Sequence, residues 1–586
     1  MDKSIHQQPA ADARPDRPDP GSTSSTPSAG PRDAKPRTNL VVLFGSAATV
    51  LGIAIVSLVA PEWASTVTST VVAWVSDAFG WWYFALIAAM LVVVIVICFS
   101  RYGNYRLGPD DSRPDYNLFT WTAMLFAAGI GTDVIFYSVA EPVAQYLHPP
   151  AGEGGTPEAA REAVTWMLFH YGLSGWALYA LIGMALGFFA FRRGLPLAIR
   201  SALYPIFGKR IQGRTGDTVD IATVVGTIFG VATSLGIGIA LLSVGFSRWL
   251  GVSTGTSLQI ALIVASVVLA TTSAVSGVDK GIRRLSELNV LLSVSLLGYI
   301  LISGDSAFLF NALVMNLGDY LSQLPGMSFD TLAYRQAEGA TLAGDPDTTV
   351  TAWMNLWTLF FWAWWIAWAP FVGMFLARIS RGRTIRQFIL GVMSIPFVYI
   401  LLWGSVIGNS AIRTVRNGDE TLGENTYADP ASGFYDFIEQ YAGAGILIAL
   451  VTITGFLFYV TSADSGALVT GNLTSKLPHP MADCAVPVRI FWSVTIGLLT
   501  FAMLTVGGEN WLVQLTNITV IMSLPFSFVL ALIAVGLIKA FRQEARDREA
   551  KRAAQELARG PGSGDGAAAV NSGEASAADP AVSQEG

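Results

Sequence analysis

Residues 124–142 read MLFAAGIGTDVIFYSVAEP, an apolar stretch interrupted by two glycines and a carboxylate. Gly129 and Gly131 each weaken a helix by about 1 kcal/mol relative to alanine and let another group approach the backbone. A second interrupted stretch, TLFFWAWWIAWAPFVGMF at 358–375, carries Pro370, which removes a helical hydrogen bond and disfavours helix at Ala369. Working outward, these are the third and eighth of twelve apolar runs, at roughly 40–60, 80–100, 118–144, 165–191, 220–248, 257–275, 289–303, 353–377, 386–408, 441–471, 488–506 and 511–538. About 20 apolar residues span the ~30 Å hydrocarbon core of a bilayer. The spacing predicts an all-α integral membrane protein with twelve transmembrane helices. Interrupted spans at matching places in two halves point to inverted repeats, spans three to seven and eight to twelve, with a site near the midplane. Close helix packing is the plainer use of the glycines; the carboxylate and aromatics beside them weaken it.

Composition agrees. Of 586 residues, 52% are hydrophobic and 13% charged, about half the ~25% charge of soluble domains. That excludes a soluble enzyme, a nucleic-acid binder and a disordered chain. Cys98, Cys484 and four scattered histidines have no metal or disulfide spacing. With both termini cytoplasmic, all but Arg161, Arg248, Arg335, Arg413 and Arg416 of the 36 basic residues fall in cytoplasmic segments. This is the bias that orients membrane proteins. Residues 1–38, rich in Pro, Asp, Ser and Arg, read as a disordered cytoplasmic tail with no signal peptide. Residues 39–538 form the twelve-helix domain, and 539–586 a short cytoplasmic helix followed by a disordered tail.

A carboxylate at mid-span costs about 2.5–3.5 kcal/mol, and no basic residue lies in any span to pair with Asp133. It is either protonated or faces a cavity and meets a cation from outside. Asp464, in FYVTSADSGALV at 458–469, has Thr461, Ser462 and Ser465 beside it to satisfy it locally. Glu141, before Pro142, reads as interfacial. Span eight holds Trp362, Trp364, Trp365 and Trp368 within seven residues, and span four holds Tyr171, Trp176 and Tyr179 in FHYGLSGWALY. A quaternary ammonium has no N–H to donate, so an aromatic cage suits it, each desolvated ring contributing up to about 2 kcal/mol.

At these residues the chain resembles the betaine/carnitine/choline transporter family. The marks are AAGIGTD, FHYGLSGWALY, GVDKGIRRLSELN at 277–289, WAWWIAWAPFVGMFLARISRGRTIRQF at 362–388, and FYVTSADSG. GTDVIFYSVAEP resembles the proton-coupled choline transporters of that family; sodium-coupled betaine members carry Gly at the position of Asp133. The resemblance implies a LeuT-like fold, two inverted five-helix repeats after two extra helices, usually as a homotrimer. It implies that Trp365 and Trp368 bind substrate, with Trp364 on the exit path, and that Trp176 and Tyr179 belong to the aromatic box. Tyr171 stands where sodium/betaine members have Trp. Gly129, Gly131 and Asp133 match the unwound stretch, and Phe136 a gating aromatic. Phe458, Thr461 and Ser462 match positions that help form a sodium site, so sodium coupling stays open. The short C-terminal tail argues against strong osmotic regulation.

The expectation is secondary active uptake of choline, with the proton as coupling ion, no cofactor and no metal, in a bacterial cytoplasmic membrane, serving osmoprotection. The alternative is sodium-coupled uptake of glycine betaine or carnitine. A membrane receptor lacks a recognisable signalling domain, and a membrane enzyme lacks a metal triad, nucleophile elbow or phosphate loop.

Overall fold

The computed structural model describes residues 35–128, 131–276 and 279–559. Almost every element is helix, because a chain in hydrocarbon must satisfy its own backbone polar groups. The first two are α1 (Leu40–Val59) and α2 (Pro61–Phe99). Then come α3 (Leu118–Ala128), α4 (Thr132–Leu147), α5 (Pro157–Tyr171), α6 (Leu173–Gly187), α7 (Arg214–Leu250), α8 (Thr256–Ser276), α9 (Asp279–Ser303) and α10 (Ser306–Met327). The second half has α11 (Val350–Leu356), α12 (Thr358–Ile379), α13 (Ile385–Arg416), α14 (Ala444–Leu473), α15 (Val486–Gly507) and α16 (Trp511–Arg559).

Among the described residues, ten helical segments are long and apolar enough to cross a membrane. The two predicted spans outside that ten are span three, which breaks between α3 and α4, and span seven, which is α9 and bends by 115° into α10. Packing repeats with a period of five spans. As α4 packs on α13, so α12 packs on α6; as α7 packs on α16 and α15, so α14 packs on α9 and α8. Five is an odd number of crossings, so the second repeat runs opposite to the first.

Three expectations need correction. The segment 61–79, left outside span two, is helical: α2 has 39 residues, about 58 Å at 1.5 Å per residue. Pro370 does not break span eight. Helix α12 runs through it, buried among neighbouring helices, which is where a span tolerates proline. The break instead falls at Trp357 (φ −110, ψ −90), between α11 and α12. Third, Asp464 is not satisfied by its neighbours on α14. It is ion-paired with Arg489, from the first turn of α15, and accepts from the Ser273 hydroxyl of α8 at 3.1 Å. A carboxylate with a guanidinium in reach takes the charged partner, and only tertiary packing brings that partner in.

Both members of this pair are largely buried, so removing Arg489 takes one charged partner from a buried carboxylate. Arg489→Ala should lower the melting temperature of the purified protein in detergent. An unchanged melting temperature contradicts the role.

Candidate substrate site

Three interrupted spans converge on one cavity of about 340 Å³. Span three re-enters the helix at Gly131, whose extended backbone (φ −144, ψ 173) caps α4. Asp133 therefore lies in the first turn of α4, where the positive end of the helix dipole favours a carboxylate. A Cβ on Gly131 would lie 2.2 Å from an Asp133 carboxylate oxygen, so glycine leaves the space this side chain occupies. Among the described residues no Lys or Arg forms an ion pair with Asp133, and the side chain lines the cavity.

Span four breaks at Gly172, between α5 and α6. The freed Leu173 N–H donates to the Tyr320 hydroxyl at 2.8 Å, and the His170 carbonyl accepts from Trp365 Nε1 at 2.7 Å. Trp365 thus spans the break. Its ring lies 4.7 Å from Tyr179, 5.8 Å from Trp176 and 6.5 Å from Tyr171, centroid to centroid. Gly175 makes this approach possible: a Cβ there would sit 2.2 Å from the Trp365 indole. Trp368 lines the same cavity from another wall. Its Nε1 donates to the Gly230 carbonyl of α7 at 3.0 Å, and its ring packs edge-on against Phe371 at 4.9 Å. Trp364 donates to Ser234 at 3.0 Å and stacks on Phe360.

Of the sequence-predicted site residues, Gly131, Asp133, Tyr171, Trp176, Tyr179, Trp364, Trp365, Trp368, Phe458, Thr461 and Ser462 all line this cavity. Gly129 lies outside the described residues. Tyr171 joins Trp176, Tyr179 and Trp365, while Trp368 stands apart from them. Phe136 does not line the cavity. It borders a second one of about 230 Å³, shared with Trp353, Trp357 and Tyr427. Tyr137 separates the two: its ring meets Tyr171, Phe361 and Trp364 on one side and Phe136 and Trp357 on the other. Sequence reasoning missed Tyr137 and also Phe361, although Phe361 precedes Trp365 by one helical turn. In the other direction the cavity continues past Phe375 and Leu468 to Arg378 and Asn472.

Ten membrane-length helical segments among the described residues, two halves with interrupted spans and an aromatic cavity lined by Asp133 define a multi-pass membrane transporter. A family model described as "BCCT, betaine/carnitine/choline family transporter" matches residues 41–546. The chain belongs to this family; it transports quaternary ammonium compounds and is not an enzyme. It is 51% identical over 515 residues to the "High-affinity choline transport protein" of Escherichia coli (strain K12), covering 88% of this chain and 74% of that one. It is 49% identical over 511 residues to the "Osmo-dependent choline transporter BetT2" of Acinetobacter baylyi, covering 87% and 72%. A "Glycine betaine transporter" of the same organism is 39% identical over 506 residues, covering 86% and 74%.

The Gly175 contact gives a direct test of the box. Gly175→Ala must push the Trp365 indole aside. Loss of one desolvated cation–π contact, about 2 kcal/mol, should weaken quaternary ammonium binding more than about tenfold. Fluorescence titration of the purified protein reads this; unaltered affinity contradicts the placement of Trp365 in the site.

Proposed function

We propose that this chain performs secondary active uptake of choline driven by the proton gradient. The observation that carries the reading is the shared cavity: the carboxylate of Asp133, with no ion-paired Lys or Arg among the described residues, and an aromatic box of Tyr171, Trp176, Tyr179 and Trp365 line one space. The trimethylammonium head sits against the box, and ionised Asp133 offsets the cost of desolvating its charge. Choline carries a net +1, whereas glycine betaine is a zwitterion whose own carboxylate Asp133 repels. Further support comes from the two choline transporters at about half identity.

Alternating access follows from moving one group of helices against the other around a midplane site. On this reading the end bearing Arg378, Asn472 and Asp483 faces the cytoplasm, as the basic-residue bias implies. Both termini are then cytoplasmic, in a bacterial inner membrane, and the cavity is an inward-facing one closed outward by Tyr137. We extend to this chain the homotrimer and the osmoprotectant role that the resemblance implies.

A second reading, sodium-coupled uptake of glycine betaine, draws on Phe458, Thr461 and Ser462. They line the cavity opposite the α4 terminus, where Thr132 hydrogen-bonds to the Gly455 carbonyl at 3.3 Å.

Radiolabelled choline uptake into proteoliposomes separates the two. With an inwardly directed proton gradient and no sodium, choline should accumulate and excess betaine should compete weakly. Uptake that requires sodium and is outcompeted by betaine overturns the proposal. Asp133→Gly should lower the choline-over-betaine preference by at least about tenfold, equivalent to ~1.4 kcal/mol; an unchanged preference removes Asp133 from the charge-selecting role.

A further inference from the structure

One group of buried ionisable side chains has no part in the account so far. Glu141, whose place before Pro142 reads as interfacial, is 0% exposed and lies inside the protein. Its Oε1 lies 2.5 Å from Nδ1 of His170, also 0% exposed, and His170 Nε2 lies 2.9 Å from the hydroxyl of Thr358. The trio joins three helices at their weak points. Glu141 is one residue before the proline of α4, His170 is in the last turn of α5, and Thr358 is the first residue of α12 after the break at Trp357. In a neutral imidazole, Nδ1–H donates to the carboxylate and Nε2 accepts from the threonine. Both ring nitrogens are then fixed.

His170 carries this restraint into the aromatic box in two ways. Its carbonyl, freed by the break at Gly172, is the acceptor for Trp365 Nε1 at 2.7 Å. Its ring stacks on Phe361 at 4.8 Å with 2° between planes, and Phe361 meets Tyr171 at 5.0 Å. A carbonyl in the last turn of a helix has no intrahelical donor to hold it, so its direction depends on what holds the residue. A buried carboxylate that lines neither of the two cavities described above is explained by that duty.

We propose that Glu141 and Thr358 are positioning residues of the substrate site: they clamp His170 from both ring nitrogens and thereby set Trp365 and Phe361. The proposal rests on the reading of the box as the place where the ammonium head binds.

The test uses the full chain in proteoliposomes, with choline exchange at equal pH on both sides, proton-driven accumulation, and fluorescence titration of choline binding. Glu141→Ala and Thr358→Val should each raise the KM for choline exchange about tenfold. The maximal rate should stay within about twofold, and Thr358→Ser, which keeps the hydroxyl, should restore KM. Thr358→Val has nearly the shape of threonine, so the test survives if Glu141→Ala does not fold. An unchanged KM in Thr358→Val, or a fall in maximal rate with KM unaltered, overturns the proposal. So does loss of proton-driven accumulation with exchange intact, which would make the pair a proton carrier. Trp365→Ala serves as the control for the underlying reading. If it leaves choline binding unaltered, the box itself is wrong; if it abolishes binding while the clamp variants are normal, only the clamp is wrong.

Discussion

A bilayer offers no water to a broken helix, so every backbone group freed at a break must find its partner inside the protein. The site in this transporter is built from that requirement. Helices α4, α6 and α12 all begin at breaks in the membrane interior, at Gly131, Gly172 and Trp357. The groups that meet the freed backbone are the side chains of the site and its surroundings. Trp365 takes the His170 carbonyl, Tyr320 takes the Leu173 N–H, and the α4 terminus faces Asp133. An indole tied by its N–H to the backbone keeps its ring plane in a fixed orientation. The same bonds that make interrupted spans tolerable therefore fix the aromatic surfaces.

Close approach is the second half of the construction. Helices in lipid gain little from hydrophobic exclusion and associate through packing of small residues. Gly175 admits the Trp365 ring, Gly230 admits Ala367 and the edge of Trp368, and Gly183 and Gly373 bring α6 and α12 backbone to backbone. A Cβ at any of these four would meet an atom at 2.8 Å or less. Large aromatic side chains and bare backbone alternate across the α6–α12 contact, which lets two bulky rings share one narrow space. The cost in helix propensity, about 1 kcal/mol per glycine, is offset by that packing.

The division between what the sequence disclosed and what it hid follows the range of the interactions. Span number and the break at Gly131 are local properties of apolar run length and glycine, and they are legible. So is the membership of Trp176, Tyr179 and Trp365 in one site, since the family resemblance and helical spacing agree. The break at Trp357 has no local signature, while Pro370, which has one, sits in an unbroken helix because neighbours surround it. Glu141 and His170 are 29 residues apart, and Asp464 and Arg489 are 25 apart. Such pairs form only when helices dock, so neither His170 nor Arg489 is visible as a partner in the local sequence.

Selectivity on our reading then divides between two parts of the site. Aromatic faces attract any quaternary ammonium, because the ring quadrupole responds to the local positive charge and not to the rest of the ligand. The box of Tyr171, Trp176, Tyr179 and Trp365 therefore holds choline and glycine betaine about equally. Discrimination needs a group that senses net charge, and at the helix terminus beside the box that group is Asp133, Arg378 lying at the far end of the cavity. It is placed where a helix terminus compensates its own charge in the absence of a ligand. A carboxylate so compensated need not be neutralised by a permanent basic partner, which would cancel its field and its selectivity. The interrupted span thus does two things at once: it makes an ionised acid tolerable in the membrane, and it leaves that acid free to choose the cation.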